Sequence, residues 1–214
     1  MDDTLNMRIT SYWQRLKYEA NVFVMDHGMF RALYWNKTEI APGVHRSNYP
    51  TEARIRRLKR QGIDTILSLR GDFDGPFNAL ERDACARHGI TLHFAPLGAR
   101  EAPTADRIRL LMEKFTFIER PFLMHCKSGA DRAGLASAIY LIAIEGKPVA
   151  EAKKMLSIRF IHFKWTKTGI LDMFLDLYEA RLEKGAIGFQ DWVEQEYDPD
   201  ALTKMFATRR FTNR

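Results

Sequence analysis

Cysteine is scarce in this chain, and its scarcity excludes a disulfide-stabilised secreted domain. Only Cys85 and Cys126 occur among the 214 residues, whereas small secreted domains need a framework of several disulfides. Cys85 lies on the apolar side of a helical pattern, which is typical of a small buried hydrophobe. A disulfide between the two cysteines stays open as a weaker alternative, since sequence spacing does not place two sulfur atoms within bonding distance. Two isolated cysteines favour a reducing compartment.

Long apolar runs are also missing. No stretch of about 18 apolar residues occurs, so we expect no transmembrane helix. The chain begins Met1-Asp2-Asp3 and has no basic region followed by an apolar stretch, which argues against a secretory signal. We therefore expect a cytoplasmic location, and peripheral contact with the inner face of a membrane stays open.

The chain does contain a large apolar fraction and an excess of positive charge. Hydrophobic residues make up 46% of the sequence, enough for one compact domain with terminal additions. Lys and Arg number 33 against 27 Asp and Glu, a formal charge of +6. This excess suits anionic partners such as phosphorylated protein, anionic phospholipid or phosphoinositide. No zinc spacing, recognition helix or basic stripe with interleaved aromatics indicates nucleic-acid binding.

The most informative stretch joins a short apolar run to a long apolar helical segment. The run from Phe122 to His125 leads to Cys126, a loop follows that Arg132 closes, and the helical segment extends to Ile144. This order predicts a strand, an anion-binding loop and a helix. The backbone N–H groups of such a loop and the N-terminus of the helix stabilise a bound phosphate or a thiolate.

Both kinds of anion serve one chemistry. Cys126, held as a thiolate, would attack phosphorus. Arg132 carries a planar guanidinium that binds two phosphate oxygens at once. The alternative is a buried cysteine beside an unrelated helix cap, since a cysteine and an arginine at this spacing also occur by chance.

The residues around Cys126 resemble the signature of the cysteine-dependent tyrosine and dual-specificity phosphatases. That signature is His-Cys-x5-Arg followed by Ser or Thr and then Gly, and it is matched here by His125, Cys126, Gly129, Arg132 and Gly134. The resemblance implies a phosphomonoester hydrolase that works through a phosphocysteine intermediate without a metal or another cofactor. It also implies that the loop residues that bind phosphate include His125, Lys127, Ser128, Gly129 and Ala130.

Ala133 departs from that signature. It stands where the family usually has a hydroxyl that helps the thiolate leave during hydrolysis of the intermediate, so we expect turnover to be affected more than phosphate binding. A phosphate-binding pseudophosphatase therefore stays open. A further alternative is a peripheral membrane adaptor that acts through the N-terminal aromatic residues and the basic tail.

Two carboxylates compete as the general acid that protonates the leaving group. In the resembled family the acid usually lies in the loop that here spans residues 96–103, where Glu101 is the only carboxylate. The pattern Cys-x-x-Gly-x-Asp-Arg also resembles the myotubularin lipid phosphatases and a bacterial group of tyrosine/serine phosphatases that act on phosphoinositides. In those groups an aspartate at the position of Asp131 is a candidate acid, and we favour Asp131. A structural carboxylate that orients Arg132 is its alternative role.

Two further residues bear on the substrate. Lys127 stands where several phosphoinositide and phospholipid phosphatases have lysine, so the resemblance keeps a lipid substrate open. Arg70 follows a predicted strand, at the sheet edge where ligands bind in open α/β folds. Arg70, Asp72 and Asp74 are therefore candidates for the pocket rim, and an ordinary polar turn is the equal alternative.

The pattern of strands and helices predicts an α/β fold with a small, mainly parallel sheet flanked by helices, like that of the dual-specificity phosphatases. We divide the chain into an aromatic and basic extension at residues 1–39, a phosphatase domain at 40–185, and a C-terminal helix with a frayed basic tail at 186–214. The predicted strands are 44–47, 63–69, 90–95 and the run before Cys126. The predicted helices are 52–60, 77–88, 104–118, 135–144, 148–160 and 170–182.

Two segments are rich in aromatic and basic residues, and each of them allows two interpretations. Residues 8–35 form either an extension packed on the domain, which we favour, or a membrane-interface segment. Residues 159–167 combine Arg159, His162, Lys164, Trp165 and Lys167. These residues either border the active site or contact lipid headgroups, or they form a solvated connector. We slightly favour the connector.

Overall fold

A computed structural model describes residues 9, 11–25, 35–73 and 75–212 of the chain. Its centre is a five-stranded sheet in the order β1-β2-β5-β3-β4. Only the β1–β2 pair is antiparallel, and the other three pairs are parallel. The α/β class with a small, mainly parallel sheet is therefore confirmed. The strands are β1 Thr38–Ala41, β2 Val44–Ser47, β3 Thr65–Ser68, β4 Thr91–Phe94 and β5 Phe122–His125.

The register of the three central strands places their carboxyl ends side by side. His125, the last residue of β5, is the register partner of Ser47 in β2 and of Ser68 in β3. The loops that begin at Asn48, Leu69 and Cys126 therefore leave the sheet at one edge. Ligands bind at this edge in open parallel sheets.

The helices begin and end largely where the sequence signals predict. The hydroxyl of Thr104 accepts a hydrogen bond from the backbone N–H of Arg107 at 3.4 Å and caps its helix, and Gly89 ends another with φ of 63°. The helices are α1 Tyr12–Met25, α2 Glu52–Arg60, α3 Pro76–His88, α4 Ala105–Phe117, α5 Asp131–Ala143, α6 Val149–Ala152, α7 Ile170–Leu182, α8 Phe189–Gln195 and α9 Pro199–Thr212.

The sheet separates two apolar clusters. Leu123 and Cys85 belong to the smaller cluster, and Met124 and Cys126 belong to the larger one. Because successive side chains of a strand point to opposite faces, the two clusters cover opposite faces of the sheet. Both cysteines are free, so the disulfide alternative is wrong. Burial raises the pKa of the Cys85 thiol, consistent with its predicted role as a small buried hydrophobe.

Two predictions about elements are wrong in extent. Residues 148–160 do not form one helix, because α6 ends at Ala152 and two 3-10 turns follow. The cause is tertiary: Arg46 donates to the carbonyl of Met155, and Gly134 of α5 allows residues 155 and 156 to approach closely. The tail is helical as far as Thr212 rather than frayed from residue 204, and β1 was not predicted. The division of the chain into three parts stays a prediction.

The described part of the N-terminal segment packs on the domain. Arg15 of α1 pairs with Glu52 and, at 3.3 Å, with Asp83 of α3. These contacts agree with the packed interpretation for residues 11–25, and the rest of the segment, apart from residues 9 and 35, lies outside the described residues. Among the helices that the structure describes, none is long and apolar enough to cross a bilayer.

Candidate active site

The phosphate loop, residues 126–132, is held from outside through its carbonyl groups. Tyr49 N–H donates to the carbonyl of Lys127 at 3.2 Å, and the side-chain amide of Asn36 donates to that of Ser128 at 3.2 Å. The carbonyls of the next two residues accept from a single guanidinium nitrogen of Arg46, at 2.5 and 3.1 Å. Four consecutive carbonyls thus face away from the interior of the loop.

The N–H groups of the same loop are left for a ligand. From Ser128 to Arg132, no backbone N–H donates a hydrogen bond to any residue that the structure describes. The last two of these groups belong to the first turn of α5, whose N-terminus carries a partial positive charge. Successive unpaired N–H groups at a helix N-terminus form an anion-binding site.

Gly129 makes this loop conformation possible. Its φ is 73°, in the left-handed region that favours glycine. A Cβ atom on Gly129 would also lie 2.6 Å from the backbone nitrogen of Asn48 and 2.8 Å from the carbonyl carbon of Ser47. The loop therefore lies directly against the end of β2, without room for a side chain.

Cys126 and Arg132 lie at the two ends of the loop. Cys126 follows β5 directly and is buried, with 2% of its surface exposed. Arg132 lies in the first turn of α5 and is half-buried. Within the described residues its guanidinium forms no hydrogen bond and no ion pair, so its five N–H donors are available to a phosphate.

Arg46 is the main support of the loop, and the sequence did not single it out. It is fully buried in β2, and its guanidinium lies 4.0 Å from the ring centre of Phe160. Burial lowers the pKa of Arg46 to about 10, while the charges of Cys126 and Asp131 act in the opposite direction. The side chain therefore remains cationic at neutral pH and adds positive charge behind the loop.

His125 is held by a buried acid. Its Nε2 lies 2.6 Å from Oε1 of Glu81, and both side chains are fully buried. On the other side of the ring, Nδ1 lies 3.3 Å from the carbonyl oxygen of Cys126. Glu81 of α3 therefore lies close behind the histidine whose ring contacts the peptide that carries the cysteine, although the two close atoms do not meet the geometry of a hydrogen bond.

Asp131 forms part of a second network, which is centred on the buried His162. His162 places Nδ1 2.8 Å from Oδ1 of Asp131 and Nε2 2.7 Å from Oδ2 of Asp172 in α7. Burial alone lowers the pKa of His162, but hydrogen bonds to the two carboxylates and their charges outweigh it and raise the pKa to about 9. At neutral pH the imidazole is therefore a cation that links the phosphate loop to α7.

The two remaining predicted residues lie at different places. Arg70 is beside the loop: its guanidinium lies 4.2 Å from the ring centre of Phe77 and 5.6 Å from that of Tyr49, the residue that donates to Lys127. Glu101 is exposed and pairs with Arg107, and no contact with the phosphate loop is present among the described residues. Asp72 pairs with Arg82, and Asp74 lies outside the described residues.

His125, Lys127, Asp131 and Arg132 thus lie in or next to the loop that contains Cys126. Among the described residues, Glu101 forms no hydrogen bond or ion pair with that loop. Sequence reasoning missed Arg46, Glu81 and Asp172, and for the segment of His162 it slightly favoured a solvated connector over a place at the border of the active site. No apolar pattern marks Arg46 in the sequence, because its strand, Val44–Ser47, also contains His45 and Ser47. No local pattern marks the other three, since their partners lie far along the chain. The roles of all predicted site residues stay predictions.

Fold and loop together define a class of protein: an α/β domain that holds a cysteine in an anion-binding loop between a buried strand and a helix, as cysteine-dependent phosphatases do. Residues 43–164 match the family described as "Swiss Army Knife protein, DSP-PTPase phosphatase domain". This match covers more than half of the chain, and the chain belongs to that family. The resemblance carried by His125 to Gly134 is therefore confirmed.

The curated relatives include a dual specificity protein phosphatase, TpbA of Pseudomonas aeruginosa. In one strain it is 29% identical over 112 residues, which cover 52% of this chain and 48% of TpbA. The chain therefore spans about half the length of the curated relatives it matches.

Solved structures show the same fold. The crystal structure of P. aeruginosa TpbA has a TM-score of 0.55 and 21% identity, covering 81% of this chain and 91% of that one. Another TpbA structure, a variant in complex with pTyr, has a TM-score of 0.53 and covers 70% and 91%. Tk-PTP in its active form has a TM-score of 0.53 and 21% identity, covering 68% and 97%.

Proposed function

We propose that this protein is a phosphomonoester hydrolase that acts on phosphotyrosine-bearing protein through Cys126. One observation carries the proposal: four loop carbonyls are bonded outward while the N–H groups from Ser128 to Arg132 have no acceptor among the described residues. The family membership and the pTyr complex of a TpbA variant support the same substrate class.

The chemistry assigns a role to each end of the loop. The thiolate of Cys126 attacks phosphorus and forms an S–P bond as the P–O bond to the leaving group breaks, and a carboxylic acid gives its proton to the departing oxygen. Water then attacks the phosphocysteine, which releases inorganic phosphate and restores the thiolate. Arg132 and the loop N–H groups bind the phosphoryl oxygens in both steps.

The test is loss of phosphate release in a Cys126→Ser variant. We expect a fall of about a thousandfold or more with a tyrosine-phosphorylated peptide and with p-nitrophenyl phosphate, because the nucleophile is removed. Binding of tungstate should persist in the variant, since the N–H groups and Arg132 remain. Undiminished hydrolysis by the serine variant contradicts the proposal.

Turnover distinguishes this function from the pseudophosphatase alternative that Ala133 keeps open. If the wild-type protein releases one equivalent of p-nitrophenol from p-nitrophenyl phosphate, no inorganic phosphate, and accumulates a phosphocysteine that does not hydrolyse, the alternative holds. Rapid-quench measurement of phosphate release beyond one equivalent excludes it. An Ala133→Ser variant, which restores the hydroxyl of the family signature, should speed the hydrolysis step and leave tungstate binding unchanged.

The general acid has two candidates with different surroundings. Asp131 faces the imidazolium of His162, so the proton in that contact lies on the histidine. This geometry favours the alternative in which Asp131 positions the loop. Glu101 then becomes the stronger candidate for the acid, and it is exposed in the loop at residues 96–103.

The pH–rate profiles of Asp131→Asn and Glu101→Gln separate the candidates. The variant that lacks the acid should lose the alkaline limb of the profile and should be most impaired with substrates that have poor leaving groups. A variant that lacks only a positioning carboxylate should lose rate equally with good and poor leaving groups. Retention of the alkaline limb in both variants excludes both candidates.

A phospholipid or phosphoinositide substrate is the second candidate function. It uses the same mechanism, and Lys127 beside the nucleophile together with exposed apolar side chains at Ile158 and Trp165 favours it. Phosphate release from phosphoinositide vesicles should then exceed release from a phosphotyrosine peptide at equal phosphate concentration. No release from vesicles excludes the lipid substrate.

A further inference from the structure

The surface next to the phosphate loop is unusually apolar. Four of the eight exposed large hydrophobic side chains in the described part of the chain fall within residues 158–165. We call residues 157–167 the surface segment. Its exposed apolar residues are Ile158 at 65%, Ile161 at 43%, Phe163 at 37% and Trp165 at 65% exposure. Such clusters on otherwise polar surfaces mark interaction sites.

The surface segment is also uniformly basic. Arg159, Lys164 and Lys167 are exposed, and no Asp or Glu occurs from residue 153 to residue 171. None of these three cations forms an ion pair with a residue that the structure describes. Apolar and basic side chains therefore share one surface on which no acid neutralises the charge.

The segment is anchored to the phosphate loop by its buried residues. Phe160 packs on the guanidinium of Arg46, and its carbonyl accepts from the same Asn36 amide that donates to Ser128. His162 binds Asp131 of the loop. Buried side chains at 160 and 162 thus alternate with exposed ones at 161 and 163, and the exposed side chains belong to a segment that is anchored to the loop.

The backbone of the segment holds an unfavourable conformation. Ile161 has φ of 64°, which is rare for a β-branched residue and costs free energy. The turn that contains it is closed by hydrogen bonds from the N–H of Ile161 to Ile158 and from that of His162 to Ser157, at 2.8 and 3.1 Å. An exposed isoleucine is held there although it belongs to neither apolar cluster.

We propose that the surface segment docks on a bilayer that carries anionic phospholipid. Trp and Phe side chains reside at the boundary between headgroups and acyl chains, and Lys and Arg beside them are attracted to an anionic leaflet. The docking proposal rests on the proposed function only for its consequence for catalysis, which is that docking would hold the phosphate loop at the level of the lipid headgroups. The docking itself requires no turnover.

The test measures binding of the full chain to vesicles without any substrate. Vesicles of phosphatidylcholine alone are compared with vesicles that also contain phosphatidylglycerol, by co-sedimentation. We expect binding to the anionic vesicles only. The double variant Phe163→Ser/Trp165→Ser should bind about tenfold more weakly or worse, because two interfacial side chains are lost. Lys164→Glu/Lys167→Glu should weaken binding by a similar factor at low salt.

Two controls make the result specific. Phe117→Ser removes a side chain that is also 65% exposed but lies on α4, and it should leave vesicle binding unchanged. Hydrolysis of p-nitrophenyl phosphate by the Phe163→Ser/Trp165→Ser variant should match that of the wild type, which shows that the loop is intact. If the chain hydrolyses no phosphomonoester and still binds the vesicles as described, the proposed function fails and the docking surface stands.

Three outcomes overturn the proposal. The first is absence of binding to anionic vesicles by the wild type. The second is equal binding by the wild type and the Phe163→Ser/Trp165→Ser variant. The third is a loss of soluble phosphopeptide hydrolysis in that variant without any vesicle binding by the wild type, which would assign the surface to peptide recognition.

Discussion

At the scale of single residues, Gly129 is the position where the phosphate loop tolerates least change. A methyl group there meets the backbone of both Ser47 and Asn48 below 3 Å, and backbone atoms cannot move aside as a flexible side chain can. The left-handed φ adds about 1 kcal/mol of strain for alanine. Gly129→Ala should therefore displace the loop and weaken tungstate binding by about tenfold or more, measured by isothermal titration calorimetry.

Gly146 supplies the matched control for this substitution. Its φ is 63°, but nothing lies within 4 Å of a Cβ built there. Gly146→Ala should cost about 1 kcal/mol of stability from backbone strain alone and leave tungstate binding unchanged. Equal loss of tungstate binding in the two variants would show that strain, rather than the close approach to β2, explains the effect.

His162 gives the molecule a pH-dependent contact. Its pKa is raised from 6.5 to about 9 by Asp131 and Asp172 despite burial, so the folded state binds its proton more tightly than the unfolded state does. The stabilisation is fully present below about pH 6.5 and is lost as pH rises through about 9. It amounts to at most about 3 kcal/mol.

Urea unfolding of wild type and His162→Gln across this pH range tests the prediction. The difference in free energy of unfolding should be largest near pH 6 and should shrink as pH approaches 10, because the neutral glutamine does not titrate. Asp172→Asn, which removes one of the two carboxylates, should show part of the same change. A difference that stays constant with pH means that His162 stabilises the fold without being charged.

At the scale of elements, the sequence predicts most helices and strands because their signals are local. Thr104, Gly89 and the apolar run before Cys126 lie at the ends of the elements that they mark. The predicted helix at 148–160 fails for the opposite reason. Its second half is shaped by Arg46 and Gly134, which belong to other elements.

The same distinction separates the predicted and the missed parts of the site. The residues of the loop follow one another, so a motif identifies them together. Arg46, Glu81 and Asp172 act on the loop from β2, α3 and α7, and only the folded chain brings them to it. Contacts between residues so far apart in the sequence produce no fixed spacing that a sequence motif could detect.

Strand β2 therefore does more than form one edge of the parallel strands, because its residue Arg46 supports the phosphate loop. One guanidinium satisfies the carbonyls of Gly129, Ala130 and Met155. Arg46→Met leaves three carbonyls without this donor and should lower the free energy of unfolding by about 3 kcal/mol or more. Chemical denaturation of the variant measures the loss.

Arg46→Lys separates the charge of Arg46 from its geometry. The ammonium group keeps the positive charge but does not reproduce the planar fork that reaches three carbonyls. The Arg46→Lys variant should therefore fold, but it should bind tungstate more weakly than the wild type does. Arg181→Met, which removes a half-buried arginine that pairs with Glu196 and donates to the carbonyl of Gly185, should leave tungstate binding nearly unchanged. Wild-type tungstate affinity in Arg46→Lys would show that the charge alone suffices.

At the scale of the whole molecule, the net charge is positive, and the stretch of chain beside the phosphate loop contains no acid. The net charge is +6, and the residues from 153 to 171 contribute cations without any acid. A field of this kind raises the association rate of anionic substrates and is screened by salt. The rate constant kcat/KM for an acidic phosphopeptide should therefore fall several-fold between low and high ionic strength.

Two double variants with equal net charge decide whether the position of the charge matters. Lys164→Glu/Lys167→Glu reverses two charges of the surface segment, whereas Lys184→Glu/Lys204→Glu reverses two exposed lysines near α7 and in α9. If local charge steers the substrate, only the first variant should lose kcat/KM at low salt, and its salt dependence should flatten. Equal losses in both variants would assign the effect to net charge. In that case the absence of acids between residues 153 and 171 has no role in capturing soluble substrates, and the vesicle experiments alone determine what that surface binds.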